Sequence, residues 1–231
     1  MTYAFSPGCA LMLYKPRLAQ KLHAYLNYTL GEMPLHLRCC HYEPQLPHDT
    51  YVINVCAGCD RRFRSLYDGV RTRSLYEIIA ERGGFDFPNY SGVFMSLHDP
   101  CPIRTEERVH IAVRVLLARM NITIVEAEHN RTNSVCCGDS YYPVHPIDKV
   151  TERMKSRAAQ MPCDDVAVYC VSCVKSMANG GKTPRHIVDL LFGEDTVPGE
   201  CDTVKWHEMV DGFANQDPVD LYRLSPTLKK A

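Results

Sequence analysis

The chain carries almost no net charge. Its 231 residues include 26 lysines and arginines against 27 aspartates and glutamates, a formal balance of −1. Nucleic-acid binders draw much of their affinity from basic side chains that neutralise phosphates. Without a basic excess, nucleic acid is not an expected partner. Long apolar runs are missing as well. A membrane-spanning helix needs ~20 such residues, whereas the most apolar segment, Ile111 to Ile122, is interrupted by Arg114 and Arg119. No membrane span is therefore expected. The opening residues, Met1-Thr2-Tyr3-Ala4-Phe5-Ser6-Pro7-Gly8-Cys9, have neither the basic start nor the apolar core of a secretory signal. The sequence also contains no G-x-G-x-x-G and no C-x-x-C-x-x-C run. Direct collection of electrons from a pyridine nucleotide is thus not expected.

What is abundant is cysteine. There are twelve, at positions 9, 39, 40, 56, 59, 101, 136, 137, 163, 170, 173 and 201. A disulfide framework belongs to short secreted chains, so an expected cytoplasmic, reducing location leaves metal binding or redox chemistry as the reason for the thiols. Ten of them form two sets with one syntax. The first runs Cys9, 29 residues, Cys39-Cys40, 15 residues, Cys56-x-x-Cys59. The second runs Cys101, 34 residues, Cys136-Cys137, 32 residues, Cys170-x-x-Cys173. A lone C-x-x-C would say little, but a five-cysteine order that occurs twice indicates an internal repeat.

The flanking residues repeat too. Short apolar segments ending in a proline turn precede Cys9 and Cys101. Helical stretches follow, Pro16 to Leu30 and Thr105 to Met120, with proline well placed at a first helical position. Strand-like segments Leu35 to Arg38 and Ile122 to Val125 lead into the cysteine pairs. Others, Tyr51 to Val55 and Val166 to Tyr169, lead into the C-x-x-C motifs. Each half closes with a helix, Leu75 to Arg82 and Arg185 to Phe192. Strands alternating with helices predict an α/β fold of two pseudo-repeated modules, each a small, mostly parallel sheet flanked by helices, with the cysteine motifs at strand C-termini. The modules are read as residues 1–92 and 93–193. Residues 194–231 form an extension with one amphipathic helix bearing Val204, Trp206, Met209, Val210 and Phe213, read as packing on the chain's own core or on a partner. Its end, Ser225 to Ala231, is expected to fray. The halves differ in one place. A helix, Ile147 to Met161, separates Cys137 from Cys170, while only a proline-containing connector separates Cys40 from Cys56.

Pro7-Gly8-Cys9, His98-Asp99-Pro100-Cys101, Cys136-Cys137-Gly138 and Cys170-Val171-Ser172-Cys173 resemble the motifs of the cysteine-rich CCG domain found in the disulfide-cleaving subunit of heterodisulfide reductase. The same domain type recurs in iron–sulfur subunits of several other oxidoreductases. The likeness spans about Tyr3 to Gly193. It implies that Cys9, Cys39, Cys40, Cys56 and Cys59 hold one non-cubane [4Fe-4S] cluster, and Cys101, Cys136, Cys137, Cys170 and Cys173 another, with at least the second present. It implies a redox subunit that reduces or forms a disulfide or related sulfur substrate, with electrons from an iron–sulfur or flavoprotein partner subunit. The first pair departs from the pattern by reading Cys39-Cys40-His41, without the glycine, and by its short spacing to Cys56.

Soft thiolates suit iron bridged by sulfide, and a fifth thiolate favours an open, asymmetric cluster. Two alternatives remain: a non-catalytic electron-transfer module, and a zinc-stabilised scaffold with four thiolates per ion. His98 and His41 flank the cysteines and could donate a hydrogen bond to sulfur or a proton to a leaving thiolate; a packing or turn role is the other reading. Lys175 and Arg104 could offset thiolate charge. Cys163 and Cys201 have no counterparts in the repeat, and Cys201 is the one read as more reactive.

Overall fold

A computed structural model describes residues 1–216. The expected fraying of Ser225 to Ala231, and the extension beyond residue 216, lie outside the described residues. The chain forms two compact units. One comprises Met1–Leu75 together with the described residues from Lys205, and the other Tyr76–Val204. No helix among the described residues is long and apolar enough to cross a membrane.

The first unit is built on β1 (Tyr3–Ser6), β2 (Thr50–Asn54) and β3 (Val70–Ser74), in the order β1-β2-β3 with every pairing parallel. A parallel sheet covered on both faces needs continuous apolar strands; accordingly Ala4, Phe5, Val52 and Ile53 are fully buried. Helices α1 (Cys9–Tyr14), α2 (Pro16–Leu30) and α3 (Ala57–Leu66) accompany it, and α4 (Leu75–Glu81) follows β3. Helix α2 matches its expected limits, with Pro16 in its first turn and Leu18, Leu22 and Leu26 forming the buried stripe.

The second unit has β4 (Phe94–His98), β5 (Thr123–Glu126), β6 (Asp165–Val168) and β7 (Thr183–His186), in the order β5-β4-β6-β7, again all parallel. Its helices are α5 (Glu107–Arg119), α6 (Ile147–Ala159), α7 (Val171–Asn179) and α8 (Ile187–Leu191). The last helix among the described residues, α9 (Thr203–Ala214), carries the buried Trp206. The α/β reading with two small parallel sheets therefore holds.

Several local readings are corrected. Leu35 to Arg38 is not a strand. It touches the sheet at a single parallel bridge, Phe5 with Leu35, held by hydrogen bonds from Phe5 N to Pro34 O and from His36 N to Phe5 O. Pro34 has no N–H to extend the ladder. The helix read as Arg185 to Phe192 begins only at Ile187, where His186 Nδ1 accepts the Val188 N–H, and Thr183 to His186 is an edge strand. Strand β3 and helices α3 and α7 went unread. The buried positions of the strand include the polar Thr72 and Ser74, which hides its alternation, and both helices begin inside the C-x-x-C motifs.

Candidate metal centres

Each cysteine motif lies in the segment that follows a sheet strand or the Leu35 bridge. In the first unit Cys9 follows β1, the Cys39-Cys40 pair follows the Leu35 bridge, and Cys56 caps the N-terminus of α3 directly after β2. In the second, Cys101 follows β4, Cys136 and Cys137 follow β5, and Cys170 caps the N-terminus of α7 after β6. Parallel strands deliver all their C-terminal loops to one end of the sheet, the place where α/β folds bind ligands.

The thiols influence one another's ionisation in the same order in both units. The coupling runs from Cys9 to Cys39, on to Cys40, then Cys59 and finally Cys56. In the other unit it runs from Cys101 to Cys136, Cys137, Cys173 and Cys170. All twelve cysteines are free thiols. The ionisation of each set is correspondingly uneven. Hydrogen bonds from Cys40 and Cys9 pull Cys39 far below the usual thiol range, and those from Cys101 and Cys137 do the same for Cys136. Cys9 and Cys101 are pushed up by sharing their protons with those thiolates, then by burial and by neighbouring negative charge. Cys56 is lowered to about 7, chiefly by Cys59 and also by the Gly58 and Cys59 N–H groups at the helix start. Five clustered thiols cannot all lose their protons while like charge opposes it; a bound cation would reverse this.

Among the described residues, two groups have metal-ligand spacing, and each joins a histidine to cysteines. In one, ligand atoms of Cys39, Cys40 and the exposed His41 lie within 4.8 Å of one another; in the other, those of the buried His98, Cys137 and Cys173 do so. Burial, then the Arg157 guanidinium, pushes His98 down to about 3, so its ring is neutral.

Gly8 and Gly138 have distinct tasks. Gly8, at φ 81° and ψ 151°, presses against the first thiol set: a Cβ there would lie 3.1 Å from Cys56 Cβ and 3.2 Å from Cys59 Sγ. Gly138, at φ 106°, faces a helix instead, where a Cβ would come within 2.8 Å of the Met154 backbone N on α6. The glycine after the second pair thus makes room for α6 rather than for a cluster. The first unit has no helix between its pair and its C-x-x-C, so the exposed His41 meets no such demand.

Asp99 organises the second set. Its buried carboxylate accepts two bonds from Arg114, at 2.9 and 3.1 Å, one from Tyr169 Oη at 2.5 Å and one from the Arg131 N–H at 2.7 Å. Ser134 Oγ donates to the Asp99 carbonyl at 2.6 Å. Asp99 sits two residues before Cys101, Ser134 two before Cys136, and Tyr169 immediately before Cys170. One residue therefore ties together all three cysteine-bearing segments. Its position in His98-Asp99-Pro100-Cys101 was visible in the sequence, but its partners were not.

Lys175 is buried and paired with Asp139 Oδ1 at 2.5 Å, and Arg104 Nε donates to the Ser134 carbonyl. Both are thus engaged by protein groups. Cys163 joins neither set; its N–H donates to Ser96 Oγ. Burial and the Glu200 carboxylate raise the Cys201 thiol, which keeps it protonated and counts against the reactivity read for it.

Helix α9 covers the first set. Val210, Phe213 and Ala214 pack against the cluster that contains Cys9, Cys39, Cys40 and Cys59, and Phe213 lines the narrow cavity beside those thiols. Tyr42 Oη, in the loop after the pair, donates to Asn215 Oδ1 at 2.7 Å. The extension thereby shields a unit that lacks a helix of its own between Cys40 and Cys56. Phe213→Asp is expected to raise the reactivity of first-set thiols in metal-free protein several-fold while leaving second-set thiols unchanged. Mass-resolved alkylation rates check this, with Phe213→Leu as the near-neutral control.

No protein-family model matches the chain, and no curated protein matches it in sequence.

Proposed function

We propose that the protein is an iron–sulfur redox subunit similar to the CCG-domain subunit of heterodisulfide reductase, with Cys9, Cys39, Cys40, Cys56 and Cys59 holding one [4Fe-4S] cluster and Cys101, Cys136, Cys137, Cys170 and Cys173 holding the other. The repeat is read as residues 1–92 and 93–193, with 194–231 as an extension. The observation that carries this reading is the set of five clustered, mutually coupled thiols, formed twice in the same order. Three features fit such a cofactor. The donors are soft and none is paired in a disulfide. Gly8 lies against the sulfurs where a side chain would intrude. In the second unit a buried imidazole nitrogen, His98 Nε2, has no hydrogen-bond partner among the described residues.

When bound, such clusters supply electrons one at a time and an iron able to take a sulfur ligand. The chain's own residues do the rest. Five thiolates hold the group. The N-termini of α3 and α7 offset part of the negative charge. His41, exposed beside the first pair, is the group able to exchange a proton with solvent when a disulfide takes up two electrons and two protons to become two thiols. Lacking a nucleotide-binding fingerprint, the chain would draw its electrons from an iron–sulfur or flavoprotein partner.

Anaerobic purification followed by iron, sulfide and EPR analysis tests this. About eight irons per chain support two clusters and about four support one. A colourless protein with zinc and no iron overturns the reading in favour of a zinc scaffold. Reduced protein that is reoxidised by small disulfides acts as the catalytic subunit; reoxidation only by a protein acceptor marks an electron-transfer module.

A further inference from the structure

His98 ends β4 with its side chain fully buried, three residues before Cys101. One of its ring nitrogens lies within 4.8 Å of both Cys137 Sγ and Cys173 Sγ. Its Nδ1 is already engaged, because Arg157 Nε donates to it at 3.3 Å. Arginine is a donor only and stays protonated in proteins, so Nδ1 acts as the acceptor. The single proton of the neutral ring must then sit on Nε2. That nitrogen is buried and has no partner among the described residues. A buried N–H without an acceptor costs about 1–3 kcal/mol, so something in the assembled protein should accept it.

Arg157 is itself held in place. It projects from the buried face of α6, donates to the His129 carbonyl and to Gln160 Oε1, both at 2.8 Å, and is almost wholly buried. A charged side chain on the buried stripe of a helix, where Val150, Met154 and Ala158 are its companions, calls for a reason.

We infer that Arg157 locks His98 as an Nε2–H donor to sulfur of the metal centre held by the second cysteine set, so that the pair raises the reduction potential of that centre. Hydrogen bonds to cluster sulfur and nearby positive charge both stabilise the reduced, more negative form. A protonated Nε2 cannot at the same time ligate iron, so His98 is a positioning residue and not a sixth ligand. The device is confined to one unit. The residue three before Cys9 is Ser6, and the first unit has no counterpart of α6 to carry an arginine.

The inference rests on the iron–sulfur reading, and its test separates the two. The holoprotein, purified anaerobically, is titrated potentiometrically and followed by EPR. His98→Leu is expected to retain full iron and to lower the potential of one centre while leaving any other unmoved. His98→Gln, which returns an N–H near the Nε2 position, restores most of the shift. Arg157→Gln lowers the same potential, because it removes both the charge and the tautomer lock. Full iron with an unmoved potential in His98→Leu and Arg157→Gln overturns the inference and leaves the cluster reading intact. Loss of iron in His98→Leu that Gln does not rescue makes His98 a ligand and also overturns it. A wild-type protein without iron overturns both.

Discussion

Asp99→Ala is expected to cost about 3–5 kcal/mol of folding stability, the usual penalty for removing one partner of a buried charge network. The effect is large because the partners cannot all recover. Arg114 keeps its second carboxylate, Glu126, at 2.7 and 2.9 Å. Tyr169 Oη has no such alternative: the residue is 1% exposed and Asp99 is the acceptor for its hydroxyl. The Arg131 N–H loses its acceptor as well. Asp99→Asn keeps the shape and one acceptor oxygen, so its cost should be roughly half, within the range for a lost charged hydrogen bond. Urea denaturation of the metal-free protein measures both. A loss below about 1 kcal/mol for the alanine variant would show that the network does not hold the three cysteine segments together.

On the proposed iron–sulfur reading, Gly8→Ala is expected to abolish iron binding by the first thiol set while sparing the second. Two costs add. The backbone at φ 81° and ψ 151° falls in a region open almost only to glycine, worth about 1–3 kcal/mol for another residue. The new methyl would also meet Cys56 Cβ at 3.1 Å, an atom fixed to the N-cap of α3 that cannot rotate away. Cys59 Sγ, at 3.2 Å, can turn aside, but only by leaving the thiol chain. Bound iron should fall by about half, and the EPR signal of the second set should persist. Retention of full iron in Gly8→Ala would show that the glycine does not shape the site. The equivalent change at Gly138 acts differently. Its methyl would strike the backbone of α6, so stability of the second unit should drop before metal is lost.

Some of this was open to inspection of the chain alone. The doubled five-cysteine order, the alternation of strands and helices, and the limits of α2 follow from spacing and local periodicity. Such signals survive in one dimension because the chemistry of C-x-x-C and the apolar stripe of a helix are set by near neighbours. Conflicting local signals hide two other elements. Leu35 to Arg38 looked like a strand, yet Pro34 and the loop to the cysteine pair leave it one bridge. Arg185 and His186, expected in a helix, belong with Thr183 and Pro184 to an edge strand, where a proline without an N–H is tolerated.

That ten of the twelve thiols belong to two like sets on an α/β scaffold is written in the order of the residues. How each set is supported depends on packing. The contacts that matter join residues far apart in the chain: Tyr169 with Asp99 across 70 positions, Arg157 with His98 across 59, and Tyr42 with Asn215 across 173. No periodicity encodes such pairs. They arise because parallel strands bring their C-terminal loops to one end of a sheet, and because α9 supplies by packing the cover that the first unit lacks in sequence. Each buried polar group delivered there must find a partner or carry the cost of having none.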